Sequence, residues 1–86
     1  MNVDFTRSFN KQFAKLSIKK QEKARLAIAL YLENSLDPRI RYHTLTGEWQ
    51  DHVSISAGGD LRLHFKIIDK NTILFVAIGS HSQLYK

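Results

Sequence analysis

Cysteine is absent from the sequence, so the protein can form neither a disulfide bond nor a thiolate metal site. Small secreted domains usually depend on such cross-links, and we therefore expect a cytoplasmic protein. Long apolar runs are missing too, because the longest, residues 26–32, is far too short to span a bilayer. No apolar stretch follows a basic N-terminal segment, so we expect neither a signal peptide nor a membrane partner.

Several catalytic signatures are missing as well. The sequence has no Walker motif, no dinucleotide-binding fingerprint and no nucleophile elbow. Its four histidines never form the i, i+3 or i, i+4 pair of a helical metal site. We therefore expect neither a metal nor a cofactor.

The composition is that of a small folded protein with a basic surface. A chain of 86 residues with 43% hydrophobic residues is long enough for one domain with a small core, and we predict a single domain over residues 1–86. The net charge is +5, and residues 7–41 carry nine Lys or Arg against three acidic residues. Such an excess attracts polyanions or an acidic protein partner, although lysines also decorate ordinary solvated helices.

Helical periodicity dominates the first half of the chain. Thr6 is a good N-cap for a helix with apolar residues at helical spacing through Leu16. Ser17 caps a second predicted helix, residues 18–34, which ends before Pro38. The connection between the two helices is so short that they must form an antiparallel hairpin.

Strand periodicity of two residues dominates the second half. We predict a short first strand at residues 2–5, then strands at residues 49–56, 61–67 and 72–78. The last of these is apolar on both faces, which places it inside the sheet. The predicted fold is a two-layer α+β arrangement, in which the N-terminal antiparallel helical hairpin packs on a mostly antiparallel four-stranded sheet.

The third predicted strand has two chemically different faces. Its apolar set, which should face the helices, is Leu61, Leu63, Phe65 and Ile67. Arg62, His64 and Lys66 would then form a row on the opposite face. Such a row can hold a phosphodiester, because arginine matches phosphate oxygens in a bidentate way and lysine adds charge. An exposed antiparallel face would be polar without any such function.

The C-terminal segment carries side chains suited to nucleic acid. The apolar fourth strand ends at Gly79, and His81 and Tyr85 follow within a few residues. An imidazole and a phenol just past a sheet edge can reach a phosphate and a nucleobase. Trp49 is predicted to lie in the core, because it shares strand parity with Val53 and other apolar residues.

Three segments together resemble the RelE/ParE superfamily of bacterial toxins and its YafQ-like branch. They are Leu-Thr-Gly-Glu-Trp at 45–49, Arg-Leu-His-Phe-Lys at 62–66 and Gly-Ser-His-Ser-Gln-Leu-Tyr at 79–85. The resemblance implies a RelE-like fold and a type II toxin that cuts messenger RNA on the ribosome. It also implies a cognate antitoxin that covers the active face. The basic helices would then contact 16S ribosomal RNA.

The resemblance also assigns roles to individual residues. Arg62 falls where such toxins hold a strand arginine against the scissile phosphate, and His81 falls where relatives place a histidine or arginine. Tyr85 falls at the terminal aromatic position. His43 precedes Leu-Thr-Gly-Glu-Trp as a catalytic histidine does in YafQ-like toxins, and Asp60 matches an acidic position. YafQ-like toxins carry a further histidine, tryptophan and arginine that this sequence lacks near Ser56, Leu61 and Ala77.

The expected chemistry is RNA cleavage without a metal, since the 2′-OH of RNA is its own nucleophile. His81 would be the general acid, His43 or Asp60 the base, and Arg62 the stabiliser of phosphorane charge. Tyr85, Lys66 and His64 would bind RNA. Two other functions stay open, since the missing residues favour them: a ParE-like inhibitor of DNA gyrase without chemistry of its own, or a non-catalytic nucleic-acid-binding module.

Overall fold

The computed structural model describes residues 1–85 and has the predicted α+β architecture. Within this range three α-helices accompany a five-stranded sheet. In chain order the elements are β1 (Asn2–Phe5), α1 (Arg7–Ala14), α2 (Ile18–Glu33), β2 (His43–Thr44), β3 (Val53–Ser56), β4 (Leu61–Asp69), β5 (Thr72–Ser80) and α3 (His81–Leu84). Two short 3₁₀ turns, Pro38–Ile40 and Gly47–Trp49, lie on either side of β2.

The sheet has the order β1-β5-β4-β3-β2, so β5 lies inside it as predicted. β1 runs parallel to β5, and every other neighbouring pair is antiparallel. All four predicted strands are present. The fifth, β2, was missed because a strand of two residues shows no alternation that a sequence pattern could reveal.

The predicted caps start both hairpin helices. The Thr6 hydroxyl accepts a hydrogen bond from the Phe9 amide at 3.1 Å and donates one to the carbonyl of Val76 at 3.3 Å. Thr6 therefore caps α1 and fastens it to β5 at the same time. The Ser17 hydroxyl accepts from the Lys20 amide at 3.2 Å and caps α2.

One hydrophobic core lies between the helical hairpin and one face of the sheet. Its fully buried side chains include Ile40, Ile55, Leu63, Phe65, Ile73 and Phe75. Tyr31 of α2 meets Phe65 edge-on, with ring centroids 4.8 Å apart. None of the helices in residues 1–85 is long and apolar enough to cross a membrane.

One residue predicted to face the helices is exposed. Ile67 of β4 is 51% exposed, because the neighbouring strand β3 starts at Val53, opposite Phe65, and does not extend alongside Ile67. Leu32 is 45% exposed at the margin of the buried stripe of α2, whereas Tyr31 beside it is buried. The core is therefore concentrated toward the end of the sheet that contains the start of β4 and the end of β5.

Candidate functional site

Strand pairing places His43, Ser54 and His64 side by side on the sheet face that lies away from the core. His43 of β2 pairs with Ser54 of β3, and Ser54 pairs with His64 of β4. Directly paired residues point to the same face of a sheet. Two strand spacings separate His43 from His64, which is about 10 Å between backbones. The face therefore carries one histidine at its edge and one near its centre.

A second cross-strand row on this face contains Arg62. It pairs with Ser56 on one side and with Gly79 on the other. Its Nη1 donates to the Ser56 hydroxyl at 3.2 Å and to the carbonyls of Gly59 and Leu61 at 2.9 and 3.2 Å. These bonds hold the guanidinium beside the β3–β4 turn. Nη2 and Nε form no hydrogen bond within residues 1–85.

The C-terminal helix α3 is a single turn that a reciprocal cap fixes at the end of β5. The Ser80 hydroxyl accepts from the Gln83 amide at 3.2 Å, and the Gln83 side-chain oxygen accepts from the Ser80 amide at 2.8 Å. A Cβ at position 79 would lie only 2.8 Å from that Gln83 oxygen, so a larger residue there would displace the Gln83 side chain from the cap. The His81 amide also donates to an Asp60 carboxylate oxygen at 3.3 Å. This small network brings His81 and Asp60 together.

Aromatic contacts bind the same segment to the sheet. The Trp49 indole N–H donates to the carbonyl of Leu84 at 3.0 Å. The Trp49 ring meets the His64 ring edge-on at 4.4 Å between centroids, and Tyr85 meets His64 at 5.3 Å. His81 lies 4.5 Å from Tyr85, again between ring centroids. We call Trp49, His64, Tyr85 and His81 the aromatic cluster.

The prediction that Trp49 lies in the core with Val53 was wrong. Gly47–Trp49 forms a 3₁₀ turn, and Asp51 follows it with a φ of 69°, so the strand begins only at Val53. The period-two count that joined Trp49 to Val53 therefore does not hold across this turn. As a result the indole lies on the opposite face of the sheet, where it contacts His64.

The predicted exposed row of Arg62, His64 and Lys66 is also wrong at its centre. Arg62 and Lys66 are half-buried, but His64 is completely buried because Trp49 and Tyr85 cover it. Neither imidazole nitrogen of His64 has a hydrogen-bond partner within residues 1–85, and the buried hydroxyl of Ser54 has none either. A role of His64 in RNA binding would thus require its cover to open.

Burial above all, together with the neighbouring charges of His52, His43 and His81, lowers the pKa of His64 to about 4. The imidazole is therefore neutral at pH 7. It cannot act there as a cation toward phosphate, whereas it can donate a hydrogen bond from one nitrogen and accept one at the other.

A cleft of about 830 Å³ runs from the α1–α2 turn to α3. Lys15, Lys20 and Lys23 line one side of it, and Asp60 and Gln83 line the other. Within residues 1–85 these lysines form no ion pair. Part of the basic charge on the helices therefore faces the candidate site and can guide a polyanion toward it.

The structure brings together most of the side chains that the sequence pointed to. The start of β4 and the end of β5 bring together Asp60, Arg62, His81 and Tyr85. His43 lies across the aromatic cluster, on the edge strand β2. Sequence reasoning missed the role of Trp49 as the anchor of the C-terminal segment. Its indole N–H was the available signal, since a buried indole nearly always finds an acceptor. Within residues 1–85 no group of three His, Cys, Asp or Glu is arranged to hold a metal ion.

Known structures share this architecture. YafQ from E. coli strain BL21(DE3) superimposes with a TM-score of 0.81 at 22% identity, over 99% of this chain and 98% of that one. YafQ in the E. coli DinJ–YafQ complex gives 0.78 at 23% identity, over 99% and 98%. A YoeB/ParE toxin from Agrobacterium tumefaciens gives 0.79 at 13% identity, over 94% and 99%. These likenesses establish a RelE/ParE-type toxin fold.

The sequence itself identifies the family. A family model described as the bacterial toxin of a type II toxin–antitoxin system, YafQ, matches residues 1–86. The chain therefore belongs to the YafQ family of type II toxins. No curated protein shows a significant match to it.

The lowered pKa of the buried His64 predicts that the stability of the protein depends on pH. The usual pKa of 6.5 applies in the unfolded chain, and the folded value is about 4, so the unfolded state binds more protons between these values. Stability should therefore be fully present above pH 6.5 and fall as the pH drops toward 4. The loss from this residue should be roughly 2–3 kcal/mol.

Urea unfolding between pH 7.5 and 4 measures this loss, with His64→Leu as the control. In this variant the unfolding free energy should lose the part of its pH dependence that comes from His64 and keep the part that comes from the carboxylates. Equal pH profiles for the two proteins would show that His64 is not held neutral in the fold.

Proposed function

We propose that this YafQ-family toxin is a ribosome-dependent endoribonuclease that inhibits translation by cleaving messenger RNA. The observation that carries the proposal is the docked C-terminal segment, which holds His81 against Asp60 and beside Tyr85, next to the row that contains Arg62. A proton-transfer group, an aromatic platform and a phosphate ligand are thus available within one small surface. RNA cleavage can use the first for proton transfer, the second to position a base and the third to neutralise charge.

The reaction would proceed without a metal ion, because the 2′-OH next to the scissile phosphorus is the nucleophile. It attacks phosphorus, the P–O5′ bond breaks, and a 2′,3′-cyclic phosphate and a 5′-hydroxyl form. His81 is exposed and gives its proton to the leaving 5′-oxygen as general acid. The free nitrogens of Arg62 stabilise the negative charge of the phosphorane.

His43 and Asp60 are the candidates for the general base, and their positions favour His43. The attacking and leaving oxygens of an in-line displacement lie on opposite sides of phosphorus. Asp60 accepts a hydrogen bond from the backbone of His81 and so lies on the side of the acid. His43 lies across the aromatic cluster, exposed, with its Nδ1 3.0 Å from the carbonyl of Arg41. Asp60 would then orient His81.

RNA binding would use the sheet face that lies away from the core and also the cleft between the helices and α3. Tyr85 stacks on a base, and Lys66 contributes charge from the polar face of β4. The cleft lined by Lys15, Lys20 and Lys23 accepts the phosphates of the messenger RNA or of 16S ribosomal RNA. His64 contributes only where its aromatic cover opens.

The partner in the cell would be a cognate antitoxin that covers this site, in the cytoplasm. The E. coli relative forms a complex with DinJ, and the family match over residues 1–86 supports an equivalent partner for this protein. An antitoxin with an acidic surface would also complement the basic charge of the helices.

A ParE-like inhibitor of DNA gyrase is the second candidate. The absence of a YafQ-like histidine near Ser56 and of an arginine near Ala77 favours it, as does the fold that this chain shares with a YoeB/ParE toxin. The same absences also suit a non-catalytic nucleic-acid-binding module.

Induced expression distinguishes these candidates. If the protein cleaves messenger RNA, incorporation of labelled methionine should fall before incorporation of labelled thymidine, and primer extension should find new messenger RNA ends. A gyrase inhibitor would stop thymidine incorporation first and leave messenger RNA intact. A binding module without chemistry would leave messenger RNA intact without affecting DNA synthesis.

His81 gives the sharpest test of the chemistry. His81→Ala and His81→Gln should lower single-turnover cleavage on programmed ribosomes by about 10²–10⁴-fold, the usual contribution of a general acid. Because the side chain is exposed, thermal melts should stay close to those of the wild type. His52→Gln is the matched control, since this half-buried histidine contacts Trp49 but has no assigned role. Wild-type rates in both His81 variants would exclude this acid.

A further inference from the structure

The buried polar pair of His64 and Ser54 has no explanation in the fold alone. Both imidazole nitrogens and the hydroxyl are out of contact with solvent and without a hydrogen-bond partner within residues 1–85. The two residues are directly paired on neighbouring strands, so their polar atoms belong to one spot on the sheet. Buried polar groups are almost always paired, because an unpaired one loses its hydration without a replacement. Groups of this kind point to a ligand.

The cover over this pair is small and lightly fastened. It consists of two aromatic rings, Trp49 on a 3₁₀ turn and Tyr85 just after the single turn of α3. The main link between the two parts is the hydrogen bond from the Trp49 indole to the carbonyl of Leu84. Opening the cover therefore breaks one hydrogen bond and a few ring contacts and leaves the hydrophobic core on the other face intact.

We propose that the Trp49, His64 and Tyr85 rings, with Ser54, form a closed nucleobase-binding pocket that accepts one unpaired RNA base between the two covering rings. This inference rests on the proposed function, and it assigns recognition rather than chemistry to His64. A base is flat and aromatic, so it can replace the ring contacts that opening disrupts. Its edge carries donors and acceptors that can pair with a neutral imidazole and a hydroxyl.

The position of the pocket agrees with the proposed reaction. The His81 ring lies 4.5 Å from the Tyr85 ring, and Arg62 is two residues from His64 on the same face of β4. A base held over His64 would therefore bring its own ribose and phosphate to His81 and Arg62. The low pKa of His64 supports this role, because a neutral imidazole reads a base edge and does not compete for the phosphate.

The single tryptophan of the chain is Trp49, which provides a direct probe. A 2′-O-methyl trinucleotide binds without being cleaved, since its nucleophile is blocked. Titrated into the wild-type protein, it should quench Trp49 fluorescence in a saturable way. His64→Leu should bind it about tenfold more weakly or worse, while the melting temperature rises by several degrees because the unpaired nitrogens are gone. His52→Leu, the control, should bind within about twofold of the wild type.

Ser54→Ala is the second variant and decides the matter if His64→Leu does not fold. It removes the unpaired hydroxyl without adding volume, so the fold should persist while affinity for the trinucleotide falls several-fold. Wild-type affinity in the folded His64 and Ser54 variants would overturn the pocket. So would a wild-type protein whose Trp49 fluorescence does not respond to the trinucleotide. Cleavage by the wild type on programmed ribosomes, measured in parallel, shows whether the proposed function fails too or only the pocket.

Discussion

The hydrogen bond from the Trp49 indole to the Leu84 carbonyl is the contact on which the candidate site depends. It joins a 3₁₀ turn before β3 to the single helical turn after β5. A helix of one turn has no stability of its own in water. The reciprocal cap of Ser80 and Gln83 shapes that turn, and the indole fixes it against the sheet. Together with the hydrogen bond from the His81 amide to Asp60, these contacts fix His81 and Tyr85 relative to Arg62.

Charge is distributed unevenly around this site. The centre contains a histidine that burial keeps neutral, whereas the surrounding residues include Arg62, Lys66 and the lysines of the cleft. A polyanion would be attracted to the rim, and in the proposed pocket the less polar centre would receive the flat part of the ligand. This division suits a single-stranded nucleic acid, whose phosphates and bases separate in the same way.

The buried His64 illustrates a conflict between the stability of the fold and the proposed binding of a base. A leucine of similar size would satisfy the packing between Trp49 and Tyr85 without leaving nitrogens unpaired. Residues that oppose the stability of a fold are concentrated at functional sites, where other interactions compensate for them. Here the compensation comes from the apolar core on the other face of the sheet.

Much of the fold could be predicted because its signals are local. Helix caps such as Thr6 and Ser17 act within three residues. The alternation in β4 extends over residues 61–67, and β5 carries the continuous apolar run of an inner strand. A two-residue strand such as β2 carries no comparable signal.

The candidate site was only partly predictable, because its geometry depends on distant parts of the chain. The positive φ of Asp51 interrupts the alternation and turns Trp49 to the other face. His64 is buried by one residue before β3 and one after β5, and no local pattern contains that information. Strand parity predicted that Arg62 faces away from the core, and the resemblance to a toxin family pointed to Arg62, His81 and Tyr85.

The chemical identity of the RNA ends tests the central claim most directly. If the 2′-OH is the nucleophile and the C-terminal histidine protonates the leaving oxygen, cleavage on programmed ribosomes must leave a 2′,3′-cyclic phosphate upstream and a 5′-hydroxyl downstream. Ligation with enzymes specific for each end, or mass spectrometry of the fragments, reads this out. A 5′-phosphate with a 3′-hydroxyl would mean that water attacks phosphorus, and would contradict the mechanism built on His81.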